Sequence, residues 1–255
     1  MISIITVCYN NLQELKETVS SVLAQNCSEY ELVIVDGGSD KELIDYLSII
    51  VTENKNRKIN VISEPDRGPY DAMNKGLLKV TGSHVIFMNS GDTFHDVSDI
   101  ESYLSYTDDF DIIYGDFHAN RGGVLYHRKS KLPCYFETDF KYMGFCHQSV
   151  AVSTKLFESG IGCEPFSPFY KIAADFNFMY PILQDVNIKK KYLDKSTSNF
   201  LVGGISDSQR LNSLLEHLYI YRTYNPITKR CLLAWSFLFL KEFVKGPIRR
   251  AVRKK

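Results

Sequence analysis

Four polar clusters hold the residue types that can do chemistry: Tyr9-Asn10, Asp36–Asp40 (DGGSD), Ser63–Gly76 (SEPDRGPYDAMNKG) and Asn89–Asp92 (NSGD). The third is the richest. A turn needs only Gly, Pro and Asp, whereas this run adds a cation at Arg67, a second at Lys75 and a helix start near Pro69. Proline is tolerated in a first helical turn because that N–H has no partner anyway. Free N–H groups at a helix start, flanked by cations, suit a phosphate-bearing ligand. A solvated loop with a helix cap is the other reading these residues leave open. Asp36 can accept from the imide N–H of a base or close its own Asp-Gly-Gly-Ser turn. Tyr9 can stack on a base or end a strand half-buried. Further along, Asp175 sits among Ala173, Ala174, Phe176 and Phe178, surroundings that would desolvate its carboxylate and raise its pKa. It also fits a helix N-cap.

The elements that must position these residues alternate in type. Ile2–Cys8 is a β-branched apolar run ended by turn chemistry at Tyr9-Asn10-Asn11. Leu12, Leu15, Val19, Val22 and Leu23 then recur at helical spacing as far as Gln25. Residues 31–35 (ELVIV), 60–63 and 84–88 (HVIFM) predict three more strands. Leu43, Ile44, Leu47 and Ile50 mark one intervening helix, and Tyr70–Val80 the next. Four strands alternating with three helices in this order imply a parallel sheet with right-handed crossovers. Ligands on such sheets sit at the carboxyl ends of the strands, and every unusual polar cluster falls there. No GxGxxG follows the first strand and no GxxxxGK[ST] occurs, so a dinucleotide fingerprint and a P-loop are both excluded.

The 255 residues suit one large α/β domain with an extension, and an apolar share of 44% is enough to bury a full core. Net charge is zero but unevenly spread. Pro226–Lys255 holds nine Lys or Arg against the single acid Glu242, a local +8 offset by −8 over the remainder. The six cysteines are scattered, without CxxC or zinc-type spacing, and Met1 leads directly into a strand; both predict a reducing cytoplasm and no signal peptide. Asp111–Arg128 reads as a strand and then a hairpin through Asn120–Gly123. Leu232–Leu240 (LLAWSFLFL) is too short to span a bilayer, which takes ~20 apolar residues. With the basic run after it, this reads as an interfacial segment, Trp235 near the headgroups and the arginines on anionic lipid. A helix packed on the protein is the alternative. Nothing resembling a nucleic-acid recognition motif accompanies the charge.

Taken in series, SIITVCYNN, VDGGSD, SEPDRGPYDAMNKG, FMNSGD, FCHQSVAV (145–152), KIAADFNF (171–178) and FLVGGIS (200–206) resemble the family 2 glycosyltransferases of the GT-A fold. These are inverting, nucleotide-sugar-dependent enzymes. The likeness is greatest to the subgroup that builds bacterial surface polysaccharides such as O-antigen. It implies an α/β fold with a mostly parallel, Rossmann-like sheet flanked by helices. Residues 1–206 would form the GT-A domain, with 1–95 the nucleotide-sugar half and 96–206 the acceptor half, and 207–255 a helical, basic extension.

By the same resemblance, Thr6, Tyr9 and Asp36 hold base and ribose, while Asp66, Arg67, Asn74 and Lys75 line the path of ribose, diphosphate and sugar. Asn89, Ser90 and Asp92 stand at the family's DxD metal motif, where this chain keeps one carboxylate, Asp92. Mg²⁺ or Mn²⁺ is the implied cofactor, since such ions accept few protein ligands beside substrate phosphates and water. His147, a structural residue on its own terms, would support the leaving group, and Asp175 would be the catalytic base. The implied reaction moves a sugar, most simply from UDP, to a hydroxyl of a lipid-linked saccharide at the inner face of the cytoplasmic membrane. A non-catalytic nucleotide-sugar binder and a sugar-1-phosphate nucleotidyltransferase remain as alternatives.

Overall fold

The computed structural model describes residues 1–131, 144–158, 165–226, 229, 232–233 and 235–243. Strands β1 (Ile2–Cys8), β2 (Tyr30–Asp36), β3 (Lys58–Ser63) and β4 (His84–Phe87) alternate with helices α1 (Leu12–Leu23), α2 (Lys41–Glu53) and α3 (Pro69–Leu77). Then come β5 (Thr93–Phe94), α4 (Asp99–Leu104), β6 (Ile112–Arg121) and β7 (Val124–Arg128). A 3-10 turn at His147–Ser149 leads into β8 (Val150–Ser153) and α5 (Thr154–Glu158). The remaining elements are α6 (Ala174–Gln184), β9 (Lys190–Leu201), α7 (Ile205–Ser208) and α8 (Arg210–Tyr224).

One sheet runs β3-β2-β1-β4-β8-β6-β9-β5, with β7 paired to β6. Its first four strands are parallel, as the strand–helix alternation requires. Beyond β4 the sheet is mixed rather than mostly parallel: β8 is antiparallel to both β4 and β6, β9 is parallel to β6, and β5 is antiparallel to β9. The period of two along a strand divides its side chains between two cores. Ile5, Val7, Val33 and Val35 face α3 and α6 through Met73, Phe176 and Met179. Ile4, Leu32, Ile34 and Ile86 face α1, α2 and α4 through Leu15, Leu43 and Tyr103. Covering both faces is what allows β1 and β2 to be apolar almost throughout. The β6–β7 hairpin turns at Gly122 and Gly123, whose φ values of 60° and 87° are open to glycine at no steric cost.

The C-terminal segment departs from expectation. Trp235, placed at the headgroups by the sequence, is 6% exposed and packs on α8 against Leu214, Leu218 and Tyr221. Arg210 Nε, at the start of α8, donates to Glu242 Oε1 at 3.2 Å and ties the two helices together. The basic residues from Lys245 onward, and Cys134, Cys163 and Cys231, lie outside the described residues. Among those described, Cys8, Cys27 and Cys146 are free thiols, and no helix is long and apolar enough to cross a membrane.

Candidate active site

A cavity of about 990 Å³ opens at the carboxyl edge of the parallel strands. Of the residues singled out in the sequence, Tyr9, Asp66, Asn89, Ser90, Asp92, His147 and Asp175 line it. Thr6, Asp36, Arg67, Asn74 and Lys75 are not among its lining residues, and in four of the five the reason is a partner elsewhere.

Asp36 ends β2 fully buried. Its carboxylate accepts from the Gly38 and Ser39 N–H groups, from Ser39 Oγ, and from Ser63 Oγ at 2.7 Å. Four donors fill the lone-pair sites of an ionised carboxylate, so the group stands as the closure of its own turn and as a tie between β2 and β3. Asn74 joins its amide to the backbone of Phe166, Nδ2 donating at 2.8 Å and Oδ1 accepting at 3.1 Å. It fastens α3 to the segment before α6. Lys75 Nζ donates to Pro65 O at 2.8 Å and pairs with Glu64 at 2.9 Å, bracing the loop from beneath. Arg67 pairs with Asp71 one turn ahead, its Nη2 2.7 Å from Oδ1. Thr6 is buried within β1.

What the loops do present is Tyr9, 63% exposed, beside Asp66. Gly37 permits this approach: a Cβ there would lie 2.5 Å from Asp66 Oδ2 and 3.3 Å from the Tyr9 ring. Asp66 Oδ1 accepts from the Gly68 N–H at 2.8 Å, and Gly68, at φ 119°, turns the chain into α3 at Pro69.

The opposite wall is built around Asp175. It lies in the first turn of α6 and is not the N-cap, a place taken by Ala173. The backbone N–H groups of Lys171, Ile172 and Ala173 are instead met by Glu216 of α8, at 2.9–3.0 Å. Asp175 is thereby released to face the cavity. Its Oδ1 accepts from Tyr70 Oη at 2.9 Å, and its Oδ2 lies 2.9 Å from His147 Nδ1. On the far side of the ring, Nε2 is 3.1 Å from Asn89 Nδ2. One neutral tautomer satisfies both contacts: Nδ1–H donates to Asp175 and Nε2 accepts from Asn89. Burial pushes the Asp175 pKa upward and is the largest single influence. The hydrogen bond from His147, the Tyr70 hydroxyl and the influence of His217 together outweigh it and hold the carboxyl below the usual carboxylate range. The raised pKa expected from the apolar neighbours is therefore overturned by polar partners distant in sequence.

Asp92 joins three segments. Its Oδ2 accepts from Gln148 Nε2 at 2.6 Å and its Oδ1 from the Leu201 N–H at 2.8 Å, holding the end of β9 and the Gly203-Gly204 loop at the cavity rim. Burial raises its pKa to about 6. Beside it, Asn89 Oδ1 and Ser90 Oγ are buried without a hydrogen-bond partner among the described residues. Buried polar atoms of this kind fit a role in binding or catalysis.

Tyr70, Gln148, Glu216 and His217 escaped selection as site residues. Tyr70 and Gln148 stand inside motifs already quoted, and their neighbours Pro69 and His147 drew the attention. Nothing local marks Glu216, whose partners lie 43–45 residues away.

Known proteins bear on the fold and on the family. Among solved structures, the mannosyltransferase PcManGT from Pyrobaculum calidifontis, in complex with GDP-Man and Mn²⁺, superposes with a TM-score of 0.66 over 93% of this chain and 69% of its own, at 14% identity. S. aureus TarS 1-349 in complex with UDP gives 0.62 at 18% identity, covering 86% of this chain and 63% of that one. This chain thus spans a little under two-thirds of that neighbour, and the likeness establishes the GT-A fold. In sequence, a "PGL/p-HBAD biosynthesis glycosyltransferase" of Mycobacterium bovis (strain BCG / Pasteur 1173P2) is 26% identical over 215 residues, 82% of this chain and 80% of the relative. The family model described as "Glycosyl transferase family 2" matches residues 3–159, from the first strand through the 3-10 turn to the end of α5. That span contains the polar strand ends and His147, and with it the chain is placed as a GT-A glycosyltransferase belonging to glycosyl transferase family 2.

Proposed function

We propose that the protein transfers a sugar, with inversion, from a nucleoside diphosphate donor to a hydroxyl of a lipid-linked saccharide in cell-surface polysaccharide synthesis. UDP is the favoured nucleotide. The observation that carries this reading is the position of Asp175, nearly buried yet lining the cavity whose other wall bears Tyr9, Asp66 and Asp92. In the step itself, an acceptor oxygen attacks the anomeric carbon as the bond from that carbon to the diphosphate oxygen breaks. The acceptor proton passes to Asp175, and the bonding pair leaves with the diphosphate. A carboxylate with a lowered pKa is ionised throughout the neutral range and ready to accept that proton. Tyr70 and His147 fix its two oxygens, so the carboxylate is oriented before substrate arrives.

The residues present also suit a divalent cation. Among the described residues no cluster of three or more His, Cys, Asp or Glu forms a cage. Asp92 and Asn89 Oδ1, the latter without a partner among the described residues, nevertheless offer hard oxygen at the cavity and would hold Mg²⁺ or Mn²⁺, ions that need few protein ligands beside phosphate and water. When bound, such an ion stabilises charge on the departing diphosphate. The Mn²⁺ of PcManGT and the UDP of TarS give this reading its support from related folds.

The test pairs Asp175→Asn with a thermal-shift panel of UDP, GDP and dTDP sugars, since a ligand that binds only folded protein raises its melting temperature. The variant is expected to keep the UDP-sugar shift and lose transfer. Full turnover by Asp175→Asn removes the base assignment, and a shift with GDP sugars alone removes UDP. Chelator is expected to suppress transfer and Mn²⁺ to restore it.

A further inference from the structure

We infer that the C-terminal helical segment docks the protein on an anionic lipid surface through an outward apolar stripe, a different element from the Trp235 that the sequence suggested. This goes beyond sugar transfer, and its readout needs neither donor nor acceptor. Of the residues in 232–243 whose side chains are described, Trp235, Leu238, Phe239 and Glu242 turn toward α8. The exposed ones are Leu232, Leu233, Ser236, Phe237, Leu240, Lys241 and Phe243. Five of these seven are large and apolar, with exposures of 53, 72, 67, 64 and 71% for Leu232, Leu233, Phe237, Leu240 and Phe243. Leu233, Phe237, Leu240 and Phe243 follow one another at steps of four, three and three, which keeps them on one side of a helix. The inner side of the segment is already satisfied by α8, so the stripe is surplus to the fold. Contiguous exposed apolar surface of this kind marks an interaction site.

Charge decides the occupant. Lys241 stands beside the stripe, and Lys245, Arg249, Arg250, Arg253, Lys254 and Lys255 follow it in sequence without an intervening acid. An exposed apolar helical face that carries Lys241 and is followed in sequence by six more cations suits a surface that is apolar within and negative at its rim, which is an anionic bilayer. A second copy of this chain would bring the same cations against each other. The segment also reaches toward the cavity, because Arg210, the partner of Glu242, is one of the cavity's lining residues. Docking through the outer side of this helix would hold the acceptor rim close to the lipid.

The experiment is co-sedimentation of the full chain with phosphatidylcholine vesicles, with and without phosphatidylglycerol. Binding is expected on the anionic vesicles, weak on phosphatidylcholine alone, and reduced by added salt because screening weakens the charge attraction. Phe237→Ser with Leu240→Ser is expected to lower vesicle partitioning roughly tenfold or more while leaving the melting temperature in place. Arg249→Gln with Arg250→Gln is expected to lower it on anionic vesicles only. Unchanged binding by the serine variant overturns the proposal, as does a wild-type protein that stays in the supernatant with every vesicle. So does dimerisation in solution that the serine variant abolishes while lipid binding is absent.

Discussion

The two walls of the cavity use their polar residues in opposite ways. Behind the wall formed by the ends of β2 and β3, charged groups that do not line the cavity are consumed within the two loops: Asp36 by Ser39 and Ser63, Arg67 by Asp71, Lys75 by Glu64 and Pro65. On the wall formed by the 3-10 turn and α6, the partners are far apart, Tyr70 to Asp175 across 105 residues and His147 to Asp175 across 28. A local partner turns a charge into loop structure. A distant partner orients a charge toward the space between elements, where a substrate can reach it. This predicts that substitutions on the second wall cost chemistry and those on the first cost mainly stability.

The largest effect is expected at Asp175. General-base catalysis contributes about 10²–10⁴-fold, so Asp175→Asn should lower kcat by that range while donor affinity is kept. Because the folded pKa of Asp175 is lowered from the ordinary carboxylate value, its stabilising contribution is complete above the unfolded value and is lost only as pH falls through the folded one. The acid limb of kcat due to this group should therefore lie below the usual carboxylate range. A limb near neutrality would assign the base elsewhere.

His147→Ala comes next. It removes the principal influence that lowers the Asp175 pKa and leaves burial, which raises it, less opposed. Turnover should fall about tenfold to a hundredfold, on the scale of one lost charge-assisted hydrogen bond, with the acid limb moved to higher pH. Equal loss of turnover and thermal stability, with no movement of the limb, would make the residue structural.

Glu216→Ala tests the span between the walls. It strips three backbone N–H groups before α6 of their acceptor. Leaving buried donors unmet costs about 1–3 kcal/mol each in full burial and less where water can enter. Denaturant midpoints should drop, and kcat should fall with them because Asp175 sits on the loosened turn. On the first wall, Asn74→Ala should cost about 1–3 kcal/mol through the unmet Phe166 backbone groups, with donor affinity held in a thermal-shift titration.

The same contrast explains what the sequence made legible. β1 through β4 and their helices announce themselves because apolar periodicity is local, and the polar strand ends follow from the topology. The hairpin at Gly122-Gly123 and the helix start at Pro69 were equally readable, since each is decided by one or two residues. The parallel pairing of β6 with β9 was not, because it joins segments some eighty residues apart, nor was the two-residue β5. Asp175 was singled out through resemblance, and the sign of its pKa shift was read wrongly from its adjacent alanines and phenylalanines. Its electrostatics are set by Tyr70, His147 and His217, none of them a sequence neighbour. Asn74 and Lys75 misled in the reverse direction: residues suited to a diphosphate proved suited to a carbonyl and a carboxylate already at hand.

The smallest expected effect is also the sharpest discriminator between the walls. The Arg67 side chain is 66% exposed and pairs with Asp71 at i,i+4, an arrangement worth about 0.2–1 kcal/mol at a surface. If this cation serves the loop alone, Arg67→Ala should move the melting temperature by a degree or two, about the shift expected of so small a change in a chain of this size. Donor affinity and kcat should then stay at the wild-type values. If the loop instead rearranges when diphosphate enters, the guanidinium would exchange Asp71 for phosphate and the alanine variant would lose donor affinity several-fold, with stronger salt dependence in the wild type than in the variant. Titrating UDP against both proteins at low and high ionic strength separates these outcomes. A salt-independent, unchanged affinity assigns the first wall to architecture, whereas a loss confined to low salt shows that its charges are held in reserve for the ligand.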